Sequence, residues 1–304
     1  MQLDLNHDQL SLVDAVERVI GPPTEPQRCV DSFVYDFAVD AGLAEGGFFD
    51  LLGNGYSMLD AVLVALVIAR LPSTVEATAS MLLKPLIPND YERPIAFMRD
   101  AQCTPVRYLP MAKTVLIECE SHVRAIKLGA EDVDPVATPF AYPYGRLSEG
   151  AIRRADSLNV DFQAFHARSK LSIAVDLVGA MQGAFDRTLQ QVKDRKQFGR
   201  PIGAFQAVQH RLAAAAQIIA AGRLLICRAA HSGSVSDCAM ALAYAQAHSH
   251  QLTYDFHQFS GAMGLTLEYP LHLWTYRTRA LVGEYGGSGT QASLVSNMTW
   301  PMAG

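Results

Sequence analysis

The half of the chain after residue 161 limits the possible folds most strongly, because helical periodicity continues there with only short breaks. Apolar residues recur at spacings of three and four, as they do on the buried face of a helix. The pattern predicts four long helices: Phe162 to Lys193, Phe205 to about His231, about Ser236 to Phe259, and Tyr269-Pro270 to the glycine cluster at 283–289. Long helices with short connections pack side by side, so this half is expected to form an antiparallel four-helix bundle.

The first half of the chain divides into two parts of different texture. Residues 1–92 again show helical periodicity, whereas residues 93–150 contain six prolines and two short apolar runs, 115–117 and 123–126, that favour strands. This middle part is long enough for a small sheet but too short for a β-barrel with deep ligand contacts. The predicted fold class is mainly α, with an N-terminal helical domain at 1–92, a truncated central β segment at 93–150 and a C-terminal four-helix bundle at 151–304.

Composition disfavours several classes of function. The 304 residues carry 25 Lys and Arg against 30 Asp and Glu, a net charge of −5, which argues against nucleic-acid binding. Five cysteines without a CxxC pair argue against a disulfide framework and against a structural zinc site. No glutamate has a histidine three residues further on, as a di-iron bundle would require. We therefore predict that the chain binds no metal.

The chain is also expected to be a soluble, cytoplasmic protein without membrane contact. Its first 20 residues form an acidic amphipathic pattern, without the basic start and apolar core that a signal peptide has. The most apolar run, 61–69, is too short as a helix to cross a bilayer core of about 30 Å.

Two segments carry much more specific patterns. Residues 194–206 are DRKQFGRPIGAFQ, and residues 258–270 are QFSGAMGLTLEYP. They resemble the R-x-x-F-G-x-x-x-x-x-x-Q and Q-x-x-G-x-x-G-x-x-x-E-x-P segments of the acyl-CoA dehydrogenase family, and the opening residues resemble that family's first helix. The spacing of 52 residues from Gln206 to Gln258 suits a helix–loop–helix connection within the bundle. The chain is therefore identified as a member of this family.

The resemblance implies that the chain helps to bind FAD. In the family, the Arg, Phe and Gln of the first segment contact an FAD that is held mainly by a neighbouring subunit. Arg195 would then bind the pyrophosphate through its guanidinium, Phe198 would give the adenosine half an apolar face, and Gly261 would let backbone N–H groups approach. The implied cofactor-binding residues are Arg195, Gln197, Phe198, Gln206, Gln258, Gly261 and Gly264.

The residues that the family uses for its chemistry are altered in this chain. The reaction needs a carboxylate that removes the α-proton of an acyl-CoA thioester, and family members carry this Glu on the first bundle helix or before the C-terminal glycine turn. The helix position is Ser169 here, and Glu284 beside the glycines lies one or two residues from the family spacing. Glu284 is therefore a weak candidate for the catalytic base. Asp176, on the same helix as Ser169, is interpreted as a packing or ion-pair residue.

Three hypotheses follow, because the FAD-binding motifs are present whereas the residues that the family uses as a base are altered. The leading one is a short subunit of a heterotetrameric, FAD-dependent acyl-CoA dehydrogenase that acts on bulky, steroid-type or bile-acid-type thioesters. Its base would come from a full-length acyl-CoA dehydrogenase partner, and an electron-transfer flavoprotein would accept the electrons. The alternatives are a self-sufficient homo-oligomeric acyl-CoA dehydrogenase that uses Glu284, and a scaffold subunit without flavin.

Overall fold

The structure is a computed structural model that describes residues 5–22, 35–100 and 104–300. The chain folds into N-terminal helices, a central β layer and a helical bundle. The described α-helices before residue 95 are α1 (His7–Ile20), α2 (Phe37–Glu45), α3 (Met58–Ala69) and α4 (Thr78–Leu82). The side chain of Asn6 caps α1 and that of Ser57 caps α3, each in a reciprocal capping box that determines where the helix begins.

Between residues 95 and 158, the described residues of the central layer form seven short strands in two sheets. They are β1 (Ile95–Arg99), β2 (Val106–Arg107), β3 (Thr114–Glu118), β4 (Val123–Lys127), β5 (Val133–Val136), β6 (Tyr144–Leu147) and β7 (Asp156–Leu158). The larger sheet has the order β1-β3-β4-β7, in which the β1–β3 pair is parallel and the others are antiparallel. The smaller sheet is antiparallel and has the order β2-β6-β5.

Strand β3 lies inside this layer with both of its faces buried. Val115 and Ile117 pack with residues of the smaller sheet, whereas Leu116 packs with Phe165 near the start of the bundle. All five residues of β3 are buried. Burial on both faces explains the continuous apolar run in the sequence, and it makes Glu118 at the end of β3 unusual.

Two features of the β layer correct the expectations from the sequence. The expected small sheet is in fact two sheets that pack face to face. The layer also continues beyond the predicted boundary at residue 150, because helix α5 (Glu149–Arg153) brings the chain back so that Leu158 of β7 pairs with Val123. Over the described residues, β1 and β7 remain the outer strands of the larger sheet, so the layer is not closed into a barrel.

The bundle is built around helix α6, which packs on α3, α7, α8 and α9. Between residues 162 and 299 its helices are α6 (Phe162–Asp194), α7 (Gln206–Ser232), α8 (Val235–Ser260), α9 (His272–Leu281) and α10 (Gly287–Thr299). The predicted fourth helix is α9, and a fifth helix that the sequence analysis did not predict, α10, follows it. Gly286 (φ 79°) and Gly287 (φ 76°) turn the chain between the two. We call residues 283–289 the glycine turn. It begins α10 and does not end the bundle.

Glycines on α6 allow the N-terminal helices to lie directly against the bundle. The indole N–H of Trp274 on α9 donates a 2.8 Å hydrogen bond to the carbonyl oxygen of Arg70, just after α3. An added Cβ on Gly183 would overlap both of these atoms, and one on Gly179 would overlap Ala69. The N-terminal helices and the bundle therefore share one hydrophobic core across a contact that has no room for further side chains.

The described residues show one feature relevant to membranes and none that would hold a metal. Helix α7 is long and apolar enough to cross a membrane by length and composition, and it is the one such helix in this part of the chain. A single helix of this kind is weak evidence, since core helices of soluble proteins pass the same test. Over the same residues, no group of three or more His, Cys, Asp or Glu side chains could hold a metal ion.

Candidate functional site

Arg195 follows the last residue of α6 and joins the two sequence motifs in space. Its backbone N–H donates to the carbonyl of Gln191 and so closes α6. Its Nη1 donates a 3.0 Å hydrogen bond to the carbonyl of Ser260 at the end of α8. Among the described residues, the guanidinium pairs with no carboxylate. A half-buried guanidinium with N–H groups to spare is suited to an anion such as a pyrophosphate.

Gly261 is required beside Arg195 for two physical reasons. Its φ of +64° lies in the left-handed region that side chains rarely adopt. An added Cβ would also lie 2.6 Å from Nη1 of Arg195. The guanidinium lies in the space that a side chain at position 261 would take, and we call this place the Arg195–Gly261 recess. An arginine held there with N–H groups to spare fits the pyrophosphate of FAD, because a guanidinium binds phosphate oxygens through bidentate hydrogen bonds.

Phe198 lies at the turn of a short hairpin formed by β8 (Lys196–Gln197) and β9 (Arg200–Pro201). The turn places Phe198 (φ 53°) and Gly199 (φ 80°) in left-handed conformations. The phenyl ring is 91% exposed, so it has no part in the core of this chain. A ring held in solvent by a tight hairpin suits a contact with a molecule outside the chain.

The remaining motif residues fall into two groups. Gln197, Gln206 and Gln258 are exposed, so their amides are available to a ligand. Gly264 is buried, and an added Cβ there would lie 2.5 Å from the Cβ of Ser260. Gly264 therefore has a packing role in the structure, because the space beside it is filled by its own chain and not by a ligand.

The two positions at which family members carry their base lie in different surroundings. Ser169 of α6 is fully buried, and its hydroxyl forms a hydrogen bond with the hydroxyl of Tyr285 in the glycine turn. Glu284 is half-buried and lines a cleft, and Tyr285 occupies the position beside Ser169. Asp176 forms a 3.2 Å ion pair with Arg107 and belongs to a buried polar contact, as its interpretation from the sequence proposed. The base position on α6 thus carries a hydroxyl, and Glu284 beside Tyr285 remains the weak candidate for a base.

A carboxylate that sequence reasoning missed reaches this point from the β layer. Glu118 accepts hydrogen bonds at Oε2 from Ser169 Oγ (2.7 Å) and Tyr285 OH (2.5 Å), and its Oε1 lies 2.7 Å from His166 Nδ1. Its side chain is 3% exposed. We call these four residues the Glu118 cluster. The available signal was a charged residue directly after the apolar run 115–117.

The electrostatics of the Glu118 cluster keep the carboxyl ionised. Burial by itself would raise the pKa of Glu118, but the hydrogen bonds from His166, Tyr285 and Ser169 outweigh it and hold the pKa below its usual range. Burial, and next the charge of Glu118, raise the pKa of the Tyr285 phenol well above its usual range. The phenol therefore stays protonated and donates, and the carboxylate accepts.

A cleft of about 430 Å³ opens between the β layer and the glycine turn. Arg99, Arg107 and Tyr144 line it from the strands, and Glu284 and Tyr285 line it from the turn. Glu284, the base candidate from the sequence, thus shares the cleft with two arginines and two tyrosines.

A β layer between two helical parts, with Arg195 and Gly261 in contact at the end of a bundle helix, agrees with the fold and the motifs that the sequence resembles. Residues 162–297 match the family described as "Acyl-CoA dehydrogenase, C-terminal domain". Residues 162–297 therefore carry an acyl-CoA dehydrogenase C-terminal domain, in agreement with the family resemblance and the mainly α fold expected from the sequence. Structures of this family are FAD-binding flavoproteins, in agreement with the predicted cofactor.

Curated relatives match parts of the chain. "Acyl-CoA dehydrogenase IpdE2" of Mycobacterium tuberculosis is 33% identical over 105 residues, which cover 34% of this chain and 33% of the relative. The mitochondrial short/branched chain specific acyl-CoA dehydrogenase of Bos taurus is 29% identical over 154 residues, which cover 49% of this chain and 34% of the relative. The matched part thus spans about a third of the length of these relatives.

Solved structures match over nearly the whole chain. A chain of the ChsE4-ChsE5 complex from Mycobacterium tuberculosis aligns with a TM-score of 0.79 and 20% identity, covering 100% of both chains. A chain of the Tcur3481-Tcur3483 steroid ACAD G363A variant aligns with a TM-score of 0.78 and 17% identity, covering 96% of this chain and 97% of the other. At these identities the likeness establishes the fold alone.

Proposed function

We propose that this chain is the short subunit of a heterotetrameric, FAD-dependent acyl-CoA dehydrogenase that acts on bulky, steroid-type acyl-CoA thioesters. It supplies the adenosine and pyrophosphate side of a partner's FAD site, and a full-length acyl-CoA dehydrogenase subunit supplies the base. One contrast carries the proposal: Arg195 and Gly261 are in place, whereas the base position on α6 is Ser169, whose hydroxyl is buried against Tyr285.

The surface around the recess supports a ligand shared with another chain. Met263, Leu265 and Leu267, which follow Gly261, are all exposed, and Leu265 is 79% exposed. Apolar side chains exposed together beside an arginine are typical of an interaction surface. An FAD that bridges two subunits would cover the guanidinium of Arg195 and bring a partner surface against these side chains.

The structurally similar proteins support two parts of the proposal, the heteromeric assembly and the steroid-type substrate. ChsE4-ChsE5 is a complex, and Tcur3481-Tcur3483 is described as a steroid ACAD. We extend both features to this chain as part of the proposal. An electron-transfer flavoprotein as electron acceptor and a location in the cytoplasm belong to the same proposal.

The residues of this chain would contribute binding rather than proton transfer. FAD, when bound, would supply the acceptor for the hydride that leaves the β-carbon of the thioester. Arg195 neutralises pyrophosphate charge, and Phe198 covers an apolar face of the adenosine half. In this proposal the α-proton goes to a carboxylate of the partner, because the base position on α6 is a serine hydroxyl and Glu284 lies off the family spacing.

Flavin absorbance tests this proposal. We expect the chain purified alone to be colourless, and a complex with a co-expressed full-length acyl-CoA dehydrogenase to be yellow. Yellow protein from the chain alone would support the homo-oligomeric alternative. Absence of flavin from both preparations would support the scaffold alternative.

Glu284→Gln is expected to change turnover by the complex less than about threefold, because the proposal places the base in the partner. Loss of a true general base would cost at least ~10²-fold. Gln keeps the shape and hydrogen bonding of Glu but cannot accept the α-proton. The measurement is the initial rate with a saturating acyl-CoA and an artificial electron acceptor. Glu149→Gln, at an exposed carboxylate on α5, is the matched control. A hundredfold fall for Glu284→Gln with unchanged flavin content would make Glu284 the base and contradict the proposal.

A further inference from the structure

The residues that follow α8 fix the position of the Arg195 guanidinium. Arg195 donates to the carbonyl of Ser260, and this carbonyl belongs to the peptide bond between Ser260 and Gly261. Gly261 is the first residue of a short helical turn at the end of α8. We call residues 261–266 the α8 turn. Because this turn sets the direction of the Ser260 carbonyl, it also sets where the guanidinium lies.

His257, in the last turn of α8, connects the α8 turn to two helices. Its backbone carbonyl accepts the hydrogen bond from the N–H of Gly261 that ends α8. Its Nδ1 lies 2.8 Å from the carbonyl oxygen of Gly264 within the turn. Its Nε2 lies 3.1 Å from the hydroxyl oxygen of Thr275 on α9. The imidazole therefore joins the turn to both α8 and α9.

The hydrogen-bond partners of the imidazole determine its tautomer. A backbone carbonyl can only accept, so Nδ1 carries the proton and donates to Gly264. Nε2 of the neutral ring then accepts from the hydroxyl of Thr275. Burial lowers the pKa of His257 below its usual range, although the hydrogen bond to Gly264 opposes this shift. The ring is therefore neutral at pH 7, and it holds the turn through one fixed arrangement of hydrogen bonds.

The side chains of the α8 turn add little to its own stability. Met263 and Leu265 are exposed, and the hydroxyl of Thr266 donates within the turn, to the carbonyl of Met263. Gly264 is buried but has no side chain. Since the turn buries little apolar surface of its own, a hydrogen bond that reaches it from His257 on a packed helix contributes strongly to its order.

We propose that His257 is a positioning residue for FAD, which acts by fixing the α8 turn and through it the Arg195 guanidinium. The turn keeps the Ser260 carbonyl and Gly261 in place beside the guanidinium. A donor that is already oriented loses less entropy when a phosphate binds to it. The effect on FAD rests on the proposed function, whereas the hold on the turn rests on the geometry of the hydrogen bonds.

Hydrogen exchange of the α8 turn tests this hold without any measurement of activity. In the whole chain, His257→Ala is expected to speed exchange of the amides of 261–266 at least about fivefold, because the hydrogen bond to the turn is lost. His257→Asn places an amide N–H where Nδ1 stands and should restore most of the protection. His248→Ala is the matched control, since His248 lies on the same helix with its ring 4.4 Å from that of Tyr244.

A second variant tests the hold on the turn from the side of α9. Thr275→Val removes only the hydroxyl that Nε2 of His257 contacts, and it should give a smaller acceleration even if His257→Ala does not fold. Unchanged exchange of 261–266 in the folded variants would overturn the inference.

Affinity for FAD in the reconstituted complex tests the effect on the cofactor, by titration of the apoprotein with FAD. His257→Ala by itself is expected to weaken FAD binding about fivefold, and His257→Asn should restore most of the affinity. In the Arg195→Ala background, His257→Ala should change the affinity less than about twofold, because it acts through Arg195. A general loss of structure would instead weaken FAD binding in both backgrounds.

The outcomes separate failure of this inference from failure of the proposed function. Equal weakening in both backgrounds, or unchanged affinity for His257→Ala, would overturn the positioning role and leave the proposed function intact. A wild-type complex that binds no FAD would defeat the proposed function and the positioning role together. Hydrogen exchange would then still show whether His257 fixes the α8 turn.

Discussion

Arg195→Ala is expected to weaken retention of FAD by the reconstituted complex roughly 10- to 150-fold, because a charge-assisted hydrogen bond is worth about 1.5–3 kcal/mol. Arg195→Lys should restore only part of this, since an ammonium cannot make the bidentate contact of a guanidinium. The measurement is the flavin content after dialysis against buffer, followed by titration of the apoprotein with FAD. The thermal unfolding midpoint of each variant shows whether the fold is kept.

Arg200→Ala is the matched control for Arg195, because Arg200 lies on the hairpin that directly follows Arg195. Its guanidinium lies 4.1 Å from the centroid of the Phe205 ring, and not beside the recess. Its removal takes away the same charge from the same surface, so a general electrostatic effect on FAD would appear in both variants. If Arg195→Ala keeps stoichiometric flavin through extensive dialysis, Arg195 is not a ligand of the cofactor.

Gly183→Ala is expected to destabilise the protein by about 2–4 kcal/mol, since overpacking of a dense core costs about 1–3 kcal/mol and the loss of a buried hydrogen bond about 1 kcal/mol more. The added methyl would overlap the indole nitrogen of Trp274 and the carbonyl oxygen of Arg70, so the hydrogen bond between them would be lost. The contact between the bundle and the N-terminal helices would open. Urea unfolding followed by circular dichroism measures the effect.

The control for Gly183 is Gly150→Ala on α5, where the nearest atom to an added Cβ is Ser148 Oγ at 3.9 Å. There the substitution should be neutral or slightly stabilising, because alanine restricts the unfolded chain more than glycine does. Trp274→Phe in the Gly183→Ala background should add little further loss, since the same hydrogen bond is already broken. Equal stability of wild type and Gly183→Ala would show that the seam between α3, α6 and α9 is not closely packed.

Part of the candidate site was accessible from the sequence because its residues lie within short motifs. Arg195 and Gly261 belong to two different motifs, and each motif could be matched to a family pattern by itself. The structure then places the two residues in contact. The role of Gly264 was less accessible, because a glycine needed for packing and a glycine needed for a ligand look the same in sequence. The structure separates the two, since the space beside Gly264 is filled by Ser260.

The sequence by itself determined the long helices and the family. The predicted bounds of α6, α7 and α8 differ from those of the structure by no more than one residue at each end, because periodicity and terminating residues act over a few positions. The family followed from the two motifs, and the match of residues 162–297 agrees with it. Each of these features is encoded within a short stretch of chain.

The tertiary structure alone decided how many strands the central layer has and what occupies the base region. Leu158 joins the larger sheet through pairing with Val123, which no local pattern specifies. Glu118 meets Ser169 and Tyr285 although they lie 51 and 167 residues further along the chain. The physical reason is that strand pairing and the burial of a carboxylate depend on partners distant in sequence, so they are settled only when the β layer packs against the bundle.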